Sequence, residues 1–357
     1  MKTRIALVVI SCVVSAATGV VLSRGGPAQS QARARPLIGL SLDTLKEERW
    51  QKDRDMFIRK AEELGADVLV QSANSDDTRQ IQDVEALISR RVEALVIVPH
   101  NAGAMAKAVR LAHDAGIPVV AYDRMITDSD PDLYASFDAV MVGEAQARYL
   151  VEQLRKKGRG TKRIVRIHGA KTDNNAFLVK QGQENVLKPV LESGFIQVVH
   201  EDWAENWKPE NAKKIVNAAI TRVGPSIDAV LAANDGTAGG AIQALTEEGL
   251  AGKVMVMGQD AELAACQRIA NGTQTATIYK PLHVLAGKAA EAAFRLARSR
   301  PVVASGEVDN GTVKVPAILV DVVAVDKGNM MDTVVKDAFH PVEAIYRDVP
   351  EALRPRK

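Results

Sequence analysis

After Pro36 the chain alternates between apolar, β-branched runs of strand length and amphipathic segments of helical length, and the alternation comes in two series. "LIGLSLD", "ADVLVQSAN", "EALVIVP" and "IPVVAYD" are separated by "KEERWQKDRDMFIRKAEEL", "DDTRQIQDVEALISRR" and "AGAMAKAVRLAHDA". Near-continuous apolar strands between amphipathic helices predict a parallel sheet covered on both faces. The pattern pauses at "DSDPDLYASFD" (128–138) and restarts with "KRIVRIHG", "IQVVHEDW", "DAVLAAND", "KVMVMGQD" and "TQTATIYK". Two such series predict an α/β protein of two doubly wound, Rossmann-like domains, and 357 residues give room for both. The first crossing between them is expected near Phe137 and Asp138. "VPAILVDVVAV" (315–325) reads as one late strand after a helix over 282–299.

Before the first strand, a short basic stretch precedes an apolar run from Ile5 to Leu22 and then a Gly/Pro/Gln/Ser/Ala linker. This is the layout of an export signal, expected over residues 1–32, with a retained anchor as the competing reading. Without that leader the chain carries 43 basic and 44 acidic residues, so charge gives no case for nucleic acid. Cys266 is the one cysteine outside the leader, so no internal disulfide is expected in the body of the chain.

Parallel α/β sheets bind ligands beyond the carboxyl ends of their strands. Those ends carry Asp123 and Arg124 in "YDR", Asp173, Asn174 and Asn175 in "TDNNA", Trp203 and Trp207 in "DWAENW", Asn234 and Asp235 in "AND", Asp260 in "GQD" and Lys280 in "YK". The first strand runs through a short loop into Arg49 and Trp50. Singly, each has a plain structural reading: Asp and Asn cap helices, and Asp235 reads as such a cap. Jointly they collect on one edge of both sheets. Arg49, Arg124 and Lys280 balance Asp123, Asp173 and Asp260, so the site is neutral and dense in donors and acceptors. Such a site suits a polyhydroxylated neutral ligand, each hydroxyl giving a proton to a carboxylate and accepting one from Arg, Lys or Asn. Indole faces fit the C–H face of a sugar ring. A monosaccharide is the inference.

Enzymatic readings find little to rest on. The six histidines are scattered, no G-x-S-x-G elbow occurs, and no glycine-rich phosphate loop follows a strand. The acids of "DSDPD" are spaced like a calcium loop but have Leu133 where that loop needs glycine. Neither a metal nor a cofactor is expected. A repressor-type regulator with this fold would need a helix-turn-helix before the first strand, where the leader and linker stand.

With these residues in view, the chain resembles the periplasmic sugar-binding proteins of bacterial ABC importers, from about Leu37 to about Val342. The blocks that carry the resemblance are "ERWQKDRDMF", "VQSAN", "AYDRMI", "TDNNA", "WKPENA", "AANDGTAGGAIQAL", "GQDAEL" and "GTQTATIYKP". "ERWQKDRD", "TDNNA" and "YKP" are more particular to the xylose-binding type. The resemblance implies a type I periplasmic binding protein, two lobes on a three-segment hinge closing on one pyranose. It places the first lobe at 33–138 plus about 281–316, the second at 139–280 plus about 317–345, and a tail at 346–357. It implies ligand contacts from Arg49, Trp50, Asp123, Arg124, Asp173, Asn175, Trp207, Asn234, Asp260 and Lys280, and it alone favours Trp207 over Trp203. The implied ligand is D-xylose, with glucose, ribose or galactose as alternatives. The implied partner is an inner-membrane permease, and a chemoreceptor is the further alternative; the protein is expected to be a monomer in the periplasm. Two departures stand out: Arg91, where such proteins often carry a helix-terminating glycine, and "IHGAK" before "TDNN".

Overall fold

The computed structural model describes residues 35–351 together with 354 and 355. The leader expected over residues 1–32 lies outside the described residues, as does part of the 346–357 tail. From Pro36 onward the chain forms two sheets. The first has strand order β11 (Gly306–Asp309), β12 (Lys314–Val320), β5 (Leu133–Phe137), β4 (Val119–Tyr122), β3 (Ala94–Ile97), β1 (Leu37–Leu42), β2 (Asp67–Ser72); the second has β13 (Val323–Val325), β10 (Ala276–Tyr279), β9 (Met255–Gln259), β8 (Ala229–Ala232), β6 (Lys162–His168), β7 (Ile196–Trp203).

In the first sheet, β1 (Leu37–Leu42) lies parallel between β2 (Asp67–Ser72) and β3 (Ala94–Ile97), with Leu40 opposite both Val70 and Val96. β4 (Val119–Tyr122) and β5 (Leu133–Phe137) continue the parallel order. In the second, β6 (Lys162–His168), β7 (Ile196–Trp203), β8 (Ala229–Ala232), β9 (Met255–Gln259) and β10 (Ala276–Tyr279) are likewise parallel. Helices α1 (Glu48–Glu63), α2 (Asp77–Ser89) and α3 (Ala106–Asp114) connect strands of the first sheet. Those of the second are α4 (Ala139–Lys156), α5 (Asn174–Glu192), α6 (Pro209–Val223), α7 (Asp235–Glu247) and α8 (Leu263–Asn271), and α9 (Leu282–Ala297) returns to the first. Strands β3, β4 and β8 are buried along their whole length, as sheets covered on both faces require.

The chain passes between the sheets three times. Asp138, at the first passage, caps α4 by accepting from Met141 N at 3.0 Å. The second passage is Lys280–Pro281, between β10 and α9. The third corrects a sequence expectation. The late apolar run is two strands, not one: β12 (Lys314–Val320) pairs parallel with β5, and β13 (Val323–Val325) pairs antiparallel with β10. Chain up to Val320 therefore belongs to the first sheet, whereas the second lobe's final share was expected from about 317. Both strands are apolar, and no glycine or proline marks the passage at Asp321 and Val322. A short hairpin partner, β11 (Gly306–Asp309), closes the first sheet's edge. The closing α10 (Val342–Ile345) packs on α8, with Gln267 donating to Ala344 O at 2.9 Å.

Helix ends show which departures matter. α2 ends into Arg91 at φ +60°, so the residue that replaces the usual glycine accepts a left-handed conformation. In α1 the buried face contains Arg49, Trp50, Asp53, Phe57 and Ala61. Two charged groups inside an otherwise apolar stripe point to a site, because charges are rarely buried unless paired.

Candidate functional site

Cleft walls form where the strands of both sheets end. From the first lobe come Arg49 and Trp50 in the opening turn of α1, and Asp123 and Arg124 directly after β4. From the second come Asp173 and Asn175 at the start of α5, Trp207 after β7, Asn234 capping α7, and Asp260 after β9. Lys280 stands at the second passage, after β10. These ten residues line one cavity, together with Glu47 and Gln259, that encloses about 30 Å³ of free space. All ten positions singled out from the sequence meet there. Trp203 does not: it packs between His168 and Phe177, with ring centroids 4.9 and 4.7 Å away.

Two guanidinium groups organise the walls. Arg49 Nη2 donates to Asp123 at 2.6 Å and to Asp53 at 3.2 Å, and Nη1 reaches Asp260 across the cleft at 3.3 Å. Arg124 Nη1 donates to Asp43 at 2.7 Å, and its Nε pairs with Asp173 of the other lobe at 2.8 Å. Both guanidiniums lie over the Trp50 ring, at 4.1 and 5.1 Å from its centroid. Trp50 thus orients two arginines by cation–π contact. Lys280 Nζ pairs with Asp260 at 3.1 Å.

Behind this layer, Tyr122 donates to Asp53, and His100 Nδ1 pairs with Asp43 at 3.0 Å. Asp43 and Asp53 escaped the sequence reading. Asp53 had a usable signal, since it lies one helical turn beyond Arg49. Asp43 had one too, as the polar residue that ends the apolar run of β1, but the first strand was followed on through its loop to Arg49 and Trp50.

The protonation landscape follows from burial against pairing. Burial pushes Asp123 up, but Arg49, Lys280 and Arg124 together hold it below the usual carboxylate range. Asp43 is buried too, and its bond to His100 and the charge of Arg124 bring it down to about 2. For Asp173, burial outweighs Arg124 and raises it. Asp53 goes up to about 6, because burial exceeds what Arg49 returns.

Backbone geometry aims the carboxylates. Asp123 has φ +61° and Asp260 φ +99°, conformations L residues rarely adopt, which cluster at ligand sites. The Asp123 carbonyl accepts from Ser136 Oγ, Tyr134 Oη and, across the cleft, Asn175 Nδ2 at 2.5, 3.1 and 2.7 Å. Trp207, at φ +56°, lays its indole against Gly169, where an added Cβ would sit 2.2 Å from the ring. "IHGAK" thus supplies the one residue type that lets this indole close. Among the described residues, three buried polar atoms on the walls lack a partner: Glu47 Oε2, Trp207 Nε1 and Gln259 Oε1. Glu47 and Gln259 also escaped the sequence reading, although each directly precedes or lies near a residue it identified. Among the same residues no group of three or more metal-ligating side chains gathers.

A deep two-lobed cleft, lined from strand ends and crossed by the chain three times, defines a clamshell ligand-binding protein. Residues 38–301 match the periplasmic binding protein domain, and the chain belongs to that family. It is 48% identical over 318 residues to the D-xylose-binding periplasmic protein of Haemophilus influenzae, covering 89% of this chain and 94% of that one. It is 49% identical over 303 residues to the Escherichia coli protein of the same description, covering 85% and 90%. A carbohydrate transporter solute binding protein from Chloroflexus aurantiacus, solved with D-glucose, superposes with TM-score 0.80 at 30% identity, covering 86% of this chain and 97% of that one.

Proposed function

We propose that this chain is the D-xylose-binding component of an ABC sugar importer, working in the periplasm and handing its ligand to a membrane permease. One observation carries the reading. Three cations and the carboxylates they pair with line one small cavity, together with three buried polar atoms that have no partner among the described residues. Two of those atoms accept and one donates, which matches hydroxyl groups and not an anion or a cation. The relatives at 48 and 49% identity, described as D-xylose-binding, support a pentose as the occupant. The ten lining residues are the proposed contacts.

Binding is the whole of the chemistry proposed. Asp123, Asp173 and Asp260 are each engaged by a cation, so none is left as a free acid–base pair for hydrolysis. The lobes, with boundaries at the three passages, close because only the closed state lets both walls bond one sugar. Arg49–Asp260, Arg124–Asp173 and Asn175–Asp123 O are the contacts that fasten it.

Isothermal titration with xylose, glucose, ribose and galactose tests this reading. Xylose is expected to bind most tightly, with no sugar converted on prolonged incubation. Tighter glucose binding would move the assignment toward the Chloroflexus type, and no binding to any of the four would remove it.

A further inference from the structure

Beyond the cavity lining, we infer that Asp235 is a positioning residue for Asp260. It fixes the backbone of the loop that carries this carboxylate and so sets ligand affinity from outside the cavity. The inference rests on the reading of the cleft as a sugar site. In the sequence Asp235 looked like a helix cap, but the cap is Asn234, whose side-chain oxygen accepts from Thr237 N at 2.9 Å. Asp235 follows it as the first residue of α7 and has no solvent exposure. A side chain with no capping duty and no water therefore needs another reason to be a carboxyl group.

Its partners supply the reason. Asp235 Oδ2 accepts from Glu262 N at 3.1 Å and from Thr277 Oγ1 at 2.8 Å. Thr277 Oγ1 in turn accepts from Ala261 N at 3.2 Å. Both backbone N–H groups after Asp260 are thereby tied to one carboxylate. These are the residues that need tying, because Asp260 and Ala261 stand at φ +99° and +50°. Such conformations persist only where the surroundings over-determine them.

The pocket around Asp235 accepts nothing but an acceptor. Gln274 Nε2 donates to Oδ1 at 2.8 Å, and Gln274 cannot turn over, because its Oε1 receives Arg268 Nε at 2.9 Å. Arg268 Nη2 also holds the Asp235 carbonyl at 2.9 Å. Gly258 faces the carboxylate so closely that a Cβ would stand 2.1 Å from Oδ1. Burial pushes the carboxyl up to about 7, against the pull of Arg268 and with the push of Asp260. A group kept in such a place is there for its three donors, and two of the three bonds lead to the Asp260 loop.

The test uses Asp235→Asn, Thr277→Val and Thr277→Ser, each titrated with xylose and each repeated with Asp260→Asn. Asp235→Asn is expected to weaken binding about 30-fold and Thr277→Val about 10-fold, with Thr277→Ser near normal, as for buried bonds to a charged group. In the Asp260→Asn background the Asp235→Asn loss should shrink to about threefold or less, since residues acting through one another are not additive. Normal binding by Asp235→Asn overturns the inference, and so does a loss of full size in the Asp260→Asn background. If Asp235→Asn does not fold, the Thr277 pair decides in the same way. If the unsubstituted protein binds no sugar, the sugar reading falls, and amide exchange at Ala261 and Glu262 decides for Asp235. Faster exchange in Thr277→Val supports the inference, and unchanged exchange overturns it.

Discussion

On the first-lobe wall of the cleft, Arg49 already holds Asp53 and Asp123, and Arg124 already holds Asp43. On the second-lobe wall, Trp207 Nε1 and Gln259 Oε1 are buried without a partner. The first wall meets most of its own electrostatic needs before the lobes meet. A guanidinium set among carboxylates costs less to bury than a lone one, so this wall can be rigid and highly charged at once. The second wall keeps open valences that the first wall does not fill. The difference suggests a division of labour, in which one lobe supplies a pre-formed charged bed and the other supplies bonds completed only by the ligand. Glu47 Oε2 is the first lobe's one open atom on the cavity, and it stands just ahead of α1.

Asp260 is where the comparison is most exposed, because this second-lobe carboxylate is held by Arg49 and Lys280. Asp260→Ala removes the partner of two buried cations, for which the expected loss is about 3–5 kcal/mol. If the first wall is self-sufficient, that loss falls on the closed, liganded state. Titration should then show affinity down by more than about 100-fold, while the thermal midpoint of the ligand-free protein moves little. A large fall in the midpoint with normal sugar binding would reverse the assignment of labour.

The next effect concerns the first wall alone and is read as stability against pH. Asp53 has a folded pKa of about 6 against 3.8 for the free side chain. Its folded form therefore binds the proton more tightly than the unfolded form. Stability is greatest below pH 3.8 on this account and falls as pH rises through about 6. The total change is on the order of 3 kcal/mol. Asp43, brought down to about 2, acts in the opposite sense: its stabilisation is present above 3.8 and is lost as pH falls through 2. Urea unfolding between about pH 4 and 7 should show a downward slope that Asp53→Asn flattens, since asparagine can still accept from Tyr122. A variant with the full slope would show that Asp53 is not the group responsible.

What the sequence could show follows from the same physics. Strand ends were legible because parallel strands are continuous apolar runs, so the first polar residue after each run stands at the cleft edge. That logic found Asp123, Asn234 and Asp260 without any knowledge of distance. It missed the third passage, because the runs on either side of Asp321 are equally apolar. It also passed over Asp43 and took Asp235 for a cap, because the role of each depends on a partner far along the chain. Asp43 matters through Arg124, 81 residues later, and Asp235 through Thr277, 42 residues later. Between Trp203 and Trp207 local pattern is silent, since one ends β7 and the other stands four residues beyond it. Only the turn at Asn206 and Trp207, both at positive φ, sends one indole into the cleft.

Gln259 offers the smallest and sharpest test. Its Oε1 is buried on the second wall without a partner, which is a cost in the ligand-free protein, and on the proposed reading a sugar hydroxyl turns that cost into a bond. On that reading Gln259→Ala has effects of opposite sign in the two states. Removing an unsatisfied acceptor should leave the free protein as stable as before or slightly more stable. Removing a bond to a sugar hydroxyl should weaken binding by about 1–1.5 kcal/mol, or roughly 10-fold. A thermal scan without sugar and a titration with xylose measure the two arms on one variant. A first-wall residue such as Asp123 cannot behave this way, because its partners are present in both states and its loss must harm both. If Gln259→Ala instead lowers stability and leaves affinity intact, the open valence is only a packing accident. The contrast between a satisfied wall and a waiting one would then rest on Trp207 alone.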